Sequence, residues 1–143
     1  MGTKRHVLVD GRGTPLAVVA TGANRHDVSQ LELVLDTIVV PRPEPTADKP
    51  QHLCADKAFD SAYARGAMID RGFTPHVRCR GEERREKLAG HRARRWVVEA
   101  CHSWMNQFRK ILVRFEKTDL SYLALVHLTC AIIAWRKVAP IYG

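Results

Sequence analysis

The chain of 143 residues has four cysteines, Cys54, Cys79, Cys101 and Cys130, and none of them forms a CxxC pair with another. The paired spacing of a structural zinc site is therefore missing. The opening MGTKRHVLVD lacks a signal-peptide pattern, so no secretory setting supports a disulfide framework. The cysteines read as reduced, buried small residues of a cytoplasmic protein. A zinc set could be assembled from His52, Cys54, His76 and Cys79 only with irregular spacing. The most apolar run, Leu120 to Trp135, contains His127 and is shorter than the roughly 20 residues that a membrane-spanning helix needs. It reads as a buried C-terminal helix, with no membrane involved. No internal repeat and no second domain is visible.

What the chain has in excess is positive charge. Its formal net charge is +8, which favours a polyanionic partner, nucleic acid before an acidic membrane surface. A solvated basic surface is the alternative. A hydrophobic fraction of 45% excludes disorder as a description of the whole chain and permits one folded core.

Residues 5–9 (RHVLV) and 15–20 (PLAVVA) are β-prone runs around Asp10-Gly11-Arg12-Gly13-Thr14, which is hairpin chemistry. Asp27 is placed to cap a helix that starts near Val28 and presents Leu31, Val34, Leu35 and Ile38 on one face. The prolines from Pro41 to Pro50 make an exposed loop. Residues 51–55 form a short buried strand running into Asp56. Asp60 or Ser61 caps the next helix, which ends near Gly72, and residues 74–79 form a strand that Pro75 puts near a sheet edge. The charged stretch 80–91 reads as a loop. A long helix is expected over 93–113, with Val97, Cys101, Trp104, Phe108, Ile111 and Phe115 as its apolar stripe, and a last helix over 120–137. Core packing is the expectation for Trp96, Trp104 and Trp135. Hairpin strands followed by alternating helices and strands over 27–79 predict an α/β domain with a mixed sheet and flanking helices.

Two carboxylates stand out. Asp56 follows an apolar strand, where open α/β sheets place their ligands; capping the next helix is the competing reading. Glu99 shares one helix face with Arg95, His102, Asn106 and Arg109. A solvated face with an Arg95–Glu99 pair is the alternative there. Together the two acids suggest part of a carboxylate cage for two divalent cations, the arrangement that neutralises the attacking and leaving oxygens in phosphoryl transfer.

The strings GTKRHVLVDGRGTPLAVVATGANRHD, ADKAFDS and RRWVVEACHSWMNQFRK resemble the transposases of bacterial insertion sequences that carry a DDE catalytic domain, in particular the group numbered five. The resemblance runs from Gly2 to about Val138. It implies an RNase H-like fold, DNA as substrate, Mg²⁺ (or Mn²⁺) as cofactor, a homo-oligomeric active complex, and a cytoplasmic, nucleoid-associated location. It makes Asp56 the second acid and Glu99 the third, with Arg95 four residues ahead of Glu99 positioning DNA or the glutamate. The family signature has a tyrosine and a lysine where this chain has Arg92 and Asn106, so Arg109 or Lys110 is expected to take over the basic contact. The segment from Arg78 to Arg95, Arg92 and Arg94 included, has eight Lys/Arg against three Glu and suits phosphate-backbone contact; a solvated loop is the alternative.

No segment matches the family's first-acid motif, which lies ahead of the GTKRH stretch in relatives. Asp10 belongs to the hairpin turn and Asp27 reads as a cap. The resemblance thus implies a partial RNase H-like sheet whose first, central strand is missing. Such a chain is expected to be incompetent alone and completed by an upstream-frame polypeptide. The rival readings are a non-catalytic DNA-binding regulator that pairs with intact transposase, and a decayed relic.

Overall fold

A computed structural model describes residues 2–77 and 96–142. Strands β1 (Thr3–Val9) and β2 (Pro15–Gly22) form the expected antiparallel hairpin, with a register shift between Leu8 and Val9. Its turn is closed by the Asp10 carboxylate, whose Oδ1 accepts from the amides of Arg12 and Thr14, both at 2.8 Å. Gly13 supplies the positive φ, 80°, that a side chain would resist. A 3₁₀ turn, Val28–Gln30, leads into α1 (Leu31–Asp36), a shorter helix than the apolar spacing suggested. Asp27 makes no side-chain cap. Its carboxylate instead accepts from Lys4 Nζ at 2.9 Å and lies 3.1 Å from His6 Nδ1, so the expectation of a cap is corrected: two partners far away in sequence outcompete the local amides.

β3 (Gln51–Ala55) pairs in parallel with β4 (Phe73–Val77), and α2 (Ala62–Asp70) crosses between them. Ser61 caps α2, its hydroxyl accepting from the Ala64 amide at 3.1 Å, as the sequence predicted. Among the described residues Pro75 sits on a strand with a single partner, compatible with its missing donor. The expected strand end at 78–79 and the loop 80–91 lie outside the described residues.

The long helix expected over 93–113 is broken. α3 (Trp96–Asn106) stops, Phe108 takes extended φ/ψ (−89°, 109°), and α4 (Arg109–Leu112) restarts. The break resets the phase of the apolar stripe. Val97, Cys101, Met105 and Ile111 are buried, Trp104 and Phe108 pack half-buried against them, and Phe115 is 72% exposed. Neither glycine nor proline marks the break; Phe108 turns inward to pack on the core. The last helix, α5 (Asp119–Tyr142), has 24 residues and exceeds the expected 120–137 at both ends.

The hairpin is covered on both faces. Val18 packs with Cys101, Met105, Tyr122, Val126 and Ile133 of α3 and α5, and Val7, Val9 and Ala20 adjoin them. On the opposite face Ala17 and Val19 pack against Val34, with Leu8 and Ile38 alongside. The β3–β4 pair packs Leu53 and Val77 on α1 and α2 through Leu31, Leu35, Ala64, Ala67 and Met68. Its other face presents His52, Cys54, Thr74 and His76, all exposed. Cys54 is thus not the buried small residue expected of it, whereas Cys101 is buried and Cys130 half-buried. The architecture is mixed α/β, as expected, but within the described residues β1–β2 and β3–β4 are separate two-stranded sheets.

Two side-chain ties hold the hairpin along α5. Near its open end Arg114 donates to Thr3 Oγ1 at 2.6 Å, pairs with Asp119 at 2.7 Å and lies over the Tyr122 ring. At its tip Lys137 donates to the Arg12 carbonyl and sits 4.2 Å from the centroid of the Trp104 ring.

α5 is not buried as a whole. Tyr122, Val126, Thr129 and Ile133 face the core, while Leu120, Leu128, Trp135 and Val138 are exposed. The stretch Asp119–Ala139 is long and apolar enough to cross a membrane by length and composition, with 22% of its most apolar window buried, so the expectation of a run too short to span is corrected. The correction has a simple source: Asp119, Lys137 and the residues beyond join the helix although they are polar or follow the apolar run.

Candidate active site

Asp56 stands at the C-terminal end of β3, where the strand gives way to the 3₁₀ turn Lys57–Phe59. Its Oδ1 accepts from the Lys57 amide at 2.6 Å, which fixes the carboxylate at the strand mouth. The capping reading is therefore correct for that short turn, while Ser61 caps α2. Strand-end placement and capping coexist: one oxygen takes the amide, and the half-buried side chain stays partly open to solvent.

Glu99 lies in the first turn of α3 and is exposed. Among the described residues it has no hydrogen-bond or ion-pair partner. The orientation of α3 over the hairpin is set at close quarters. A Cβ added at Gly13 would lie 3.2 Å from both Trp104 Cζ3 and the Val97 carbonyl, so the hairpin tip touches the turn that carries Glu99.

The rest of the polar face of α3 is less solvated than expected. Asn106 is half-buried and accepts from Arg5 Nη2 at 2.7 Å, a contact across 101 residues. His102, also half-buried, is held below the ordinary imidazole pKa by burial and by the Arg5 charge, so it is neutral near pH 7. Arg5 Nη1 is buried without a hydrogen-bond partner among the described residues. The contact between Arg5 and this face was missed from sequence. A signal was present: Arg5 alternates with Val7 and Val9, the face of β1 that packs on α3 and α5. Arg109 and Lys110 are exposed on α4, one turn beyond Asn106. Arg92, Arg94 and Arg95 lie outside the described residues, as does Cys79.

Asp56 and Glu99 belong to different packing units, and no hydrogen bond joins them. Among the described residues no group of three His, Cys, Asp or Glu side chains converges to hold a metal ion. Of the irregular zinc set, His52 and His76 come together, with Nδ1 and Nε2 2.7 Å apart on neighbouring strands, and Cys54 is exposed on the same face. Of the three tryptophans, Trp104 alone packs against the core; Trp96 and Trp135 are 59% and 71% exposed, which corrects the expectation of core packing for them.

Comparison with known families decides what this arrangement belongs to. The profile of the "Transposase DDE domain" family matches residues 1–134. The chain belongs to the transposase DDE domain family. It is 38% identical, over 96% of its length, to a candidate transposase of insertion sequence element IS402 from Burkholderia cepacia, and it spans 64% of that protein. It is 27% identical, over 93% of its length, to a candidate transposase of insertion sequence element IS6501 from Brucella ovis, and it spans 98% of that one. No solved structure matches the chain. Asp56 and Glu99 offer the oxygen donors that a hard divalent cation takes.

Proposed function

We propose that this chain forms the catalytic-domain portion of a DNA transposase, acting on transposon ends and target DNA in the bacterial cytoplasm, at the nucleoid, with no membrane. Asp56 and Glu99 are the second and third acids and hold Mg²⁺ (or Mn²⁺). The bound metal supplies charge neutralisation at the phosphodiester that is cut and rejoined. Glu99, exposed and without a partner among the described residues, on a helix docked against the hairpin tip, is the observation that supports this reading best. Arg109, Lys110, Arg92, Arg94 and Arg95 are the phosphate-facing cations, and Arg5 holds Asn106 in place on the same helix face.

A further strand, bearing the first acid, fits between β1 and β3. Each of these has one strand partner among the described residues, and Leu8 of β1 already adjoins the core that holds Leu53 of β3. On this reading the chain is part of one catalytic domain, which the strand bearing the first acid completes, and the domain acts within a homo-oligomeric complex.

The test is strand cleavage and transfer of transposon-end DNA in Mg²⁺ by the transposase that contains this chain. Asp56→Ala and Glu99→Ala should each lower it by at least about 100-fold, since even the loss of outer partners of metal ligands costs 10–100-fold. Activity that survives Asp56→Ala overturns the assignment. DNA retention without cleavage favours the regulatory reading. In salt titrations of that retention, Arg109→Ala and Lys110→Ala should each reduce the slope by about one counterion.

A further inference from the structure

The two sides of α5 carry the same periodicity. Tyr122, Val126, Thr129 and Ile133 form the inner seam, which is buried. Ser121, Ala124, Leu128, Ala131, Trp135 and Val138 form an outer seam, all exposed and spaced alternately three and four residues apart. That is the 3.5-residue spacing with which one helix packs along another. Leu128, Trp135 and Val138 are 58%, 71% and 41% exposed, an apolar stripe that a monomer would leave in water.

We propose that this outer seam docks onto the same seam of a second copy, with the two helices antiparallel and a two-fold axis between Leu128 and Ala131. The order of side-chain sizes selects this pairing. About that axis Leu128 meets Ala131 of the second copy, Trp135 meets Ala124, and Val138 meets Ser121, so each large residue faces a small one. A parallel pairing sets Trp135 against itself. The antiparallel arrangement also sets the two helix dipoles in opposition. A bilayer is the poorer occupant, because the inner seam is already packed on the hairpin and α3, and Lys137 is tied to the hairpin tip. An isologous contact of this kind closes on itself and yields a dimer. The inference stands apart from the assignment of Asp56 and Glu99.

Sedimentation velocity of the full chain should show a dimer at micromolar concentration. Ala131→Glu and Leu128→Lys should each weaken it by at least about tenfold, since each buries an uncompensated charge in the seam. Circular dichroism and the thermal midpoint at low protein concentration should stay unchanged, because both positions are exposed in the monomer. Mixing the two variants should restore association, since position 131 of one then faces position 128 of the other. A wild-type chain that stays monomeric to about 100 µM overturns the proposal. So does a dimer indifferent to both substitutions, or a monomer that instead floats with phosphatidylglycerol vesicles. Loss of the dimer in both variants without rescue on mixing overturns the antiparallel register.

Discussion

The two sheets of this protein are built on opposite plans. The β3–β4 pair and its helices come from one continuous stretch, so its core is assembled from neighbours in sequence. The hairpin core joins Val18 to Cys101, Met105, Val126 and Ile133 across most of the chain. The local unit is covered on one face, the long-range unit on both. Asp56 sits on the first and Glu99 on the second, so any chemistry that needs both acids depends on how firmly two independently formed cores are held together. The link runs through Leu8, which adjoins both cores, and through α1, whose Leu31 and Leu35 face the local core while Val34, with Ile38 just past the helix end, faces the hairpin.

The sharpest way to break the comparison is to hollow out each core in turn. Met105 and Met68 are both fully buried, one in each core. Met105→Ala and Met68→Ala should each cost about 2–5 kcal/mol. Hydrogen exchange read strand by strand should show Met105→Ala loosening β1 and β2 first and Met68→Ala loosening β3 and β4 first. Equal loss in all four strands for both variants would make the molecule a single cooperative unit.

A smaller effect is expected where the hairpin tip meets α3. Gly13→Ala forces a side chain into positive φ and against Trp104 and the Val97 carbonyl, with a cost of about 1–3 kcal/mol. Exchange should rise in α3 around Glu99 more than in β3. An unchanged thermal midpoint would show that the tip does not hold the glutamate helix.

The smallest effect concerns pH, and it too should separate the units. Burial holds His6 below its ordinary pKa of 6.5, with Asp27 opposing, and burial with Arg5 does the same to His102. Both belong to the hairpin unit. In the unfolded chain each takes up a proton at higher pH than in the folded one. Their contribution to stability is therefore complete above the unfolded value and is lost as pH falls through it. The thermal midpoint should drop between about pH 7 and pH 5, and His102→Gln should flatten part of that drop. An equally steep drop in the variant would remove His102 from the account.

Much of the local unit was legible in the sequence, because its signals act at short range. Ser61 caps the helix that it precedes, and the Asp10–Gly13 turn closes on its own amides. The long-range unit was not. Asp27 has the composition of a cap, but Lys4 and His6 claim it. Nothing around Phe108 signals a broken helix, since the cause is the packing of its ring. Hydropathy could not tell the inner seam of α5 from the outer one, because both are apolar. The candidate acids were legible as motif positions, Asp56 from the strand ahead of it and Glu99 from its polar neighbours. Their mutual placement was not, because it depends on the contact between units. Arg5 was legible only as a charge in phase with the inward residues Val7 and Val9 of its strand, and its partner Asn106 lies 101 residues away.

The ties at Thr3–Arg114 and Arg12–Lys137 give the hairpin the role of a ruler for the last helix. From Thr3 to Val9 the extended strand measures about 20 Å, the turn carries the chain on to Arg12, and from Asp119 to Lys137 a helix rises about 27 Å. Strand and turn together reach along the helix far enough for both ends to latch at once. One residue added to the middle of α5 would rotate Lys137 by about 100° around the helix axis, so the gauge would read wrong at one end whichever latch closed first.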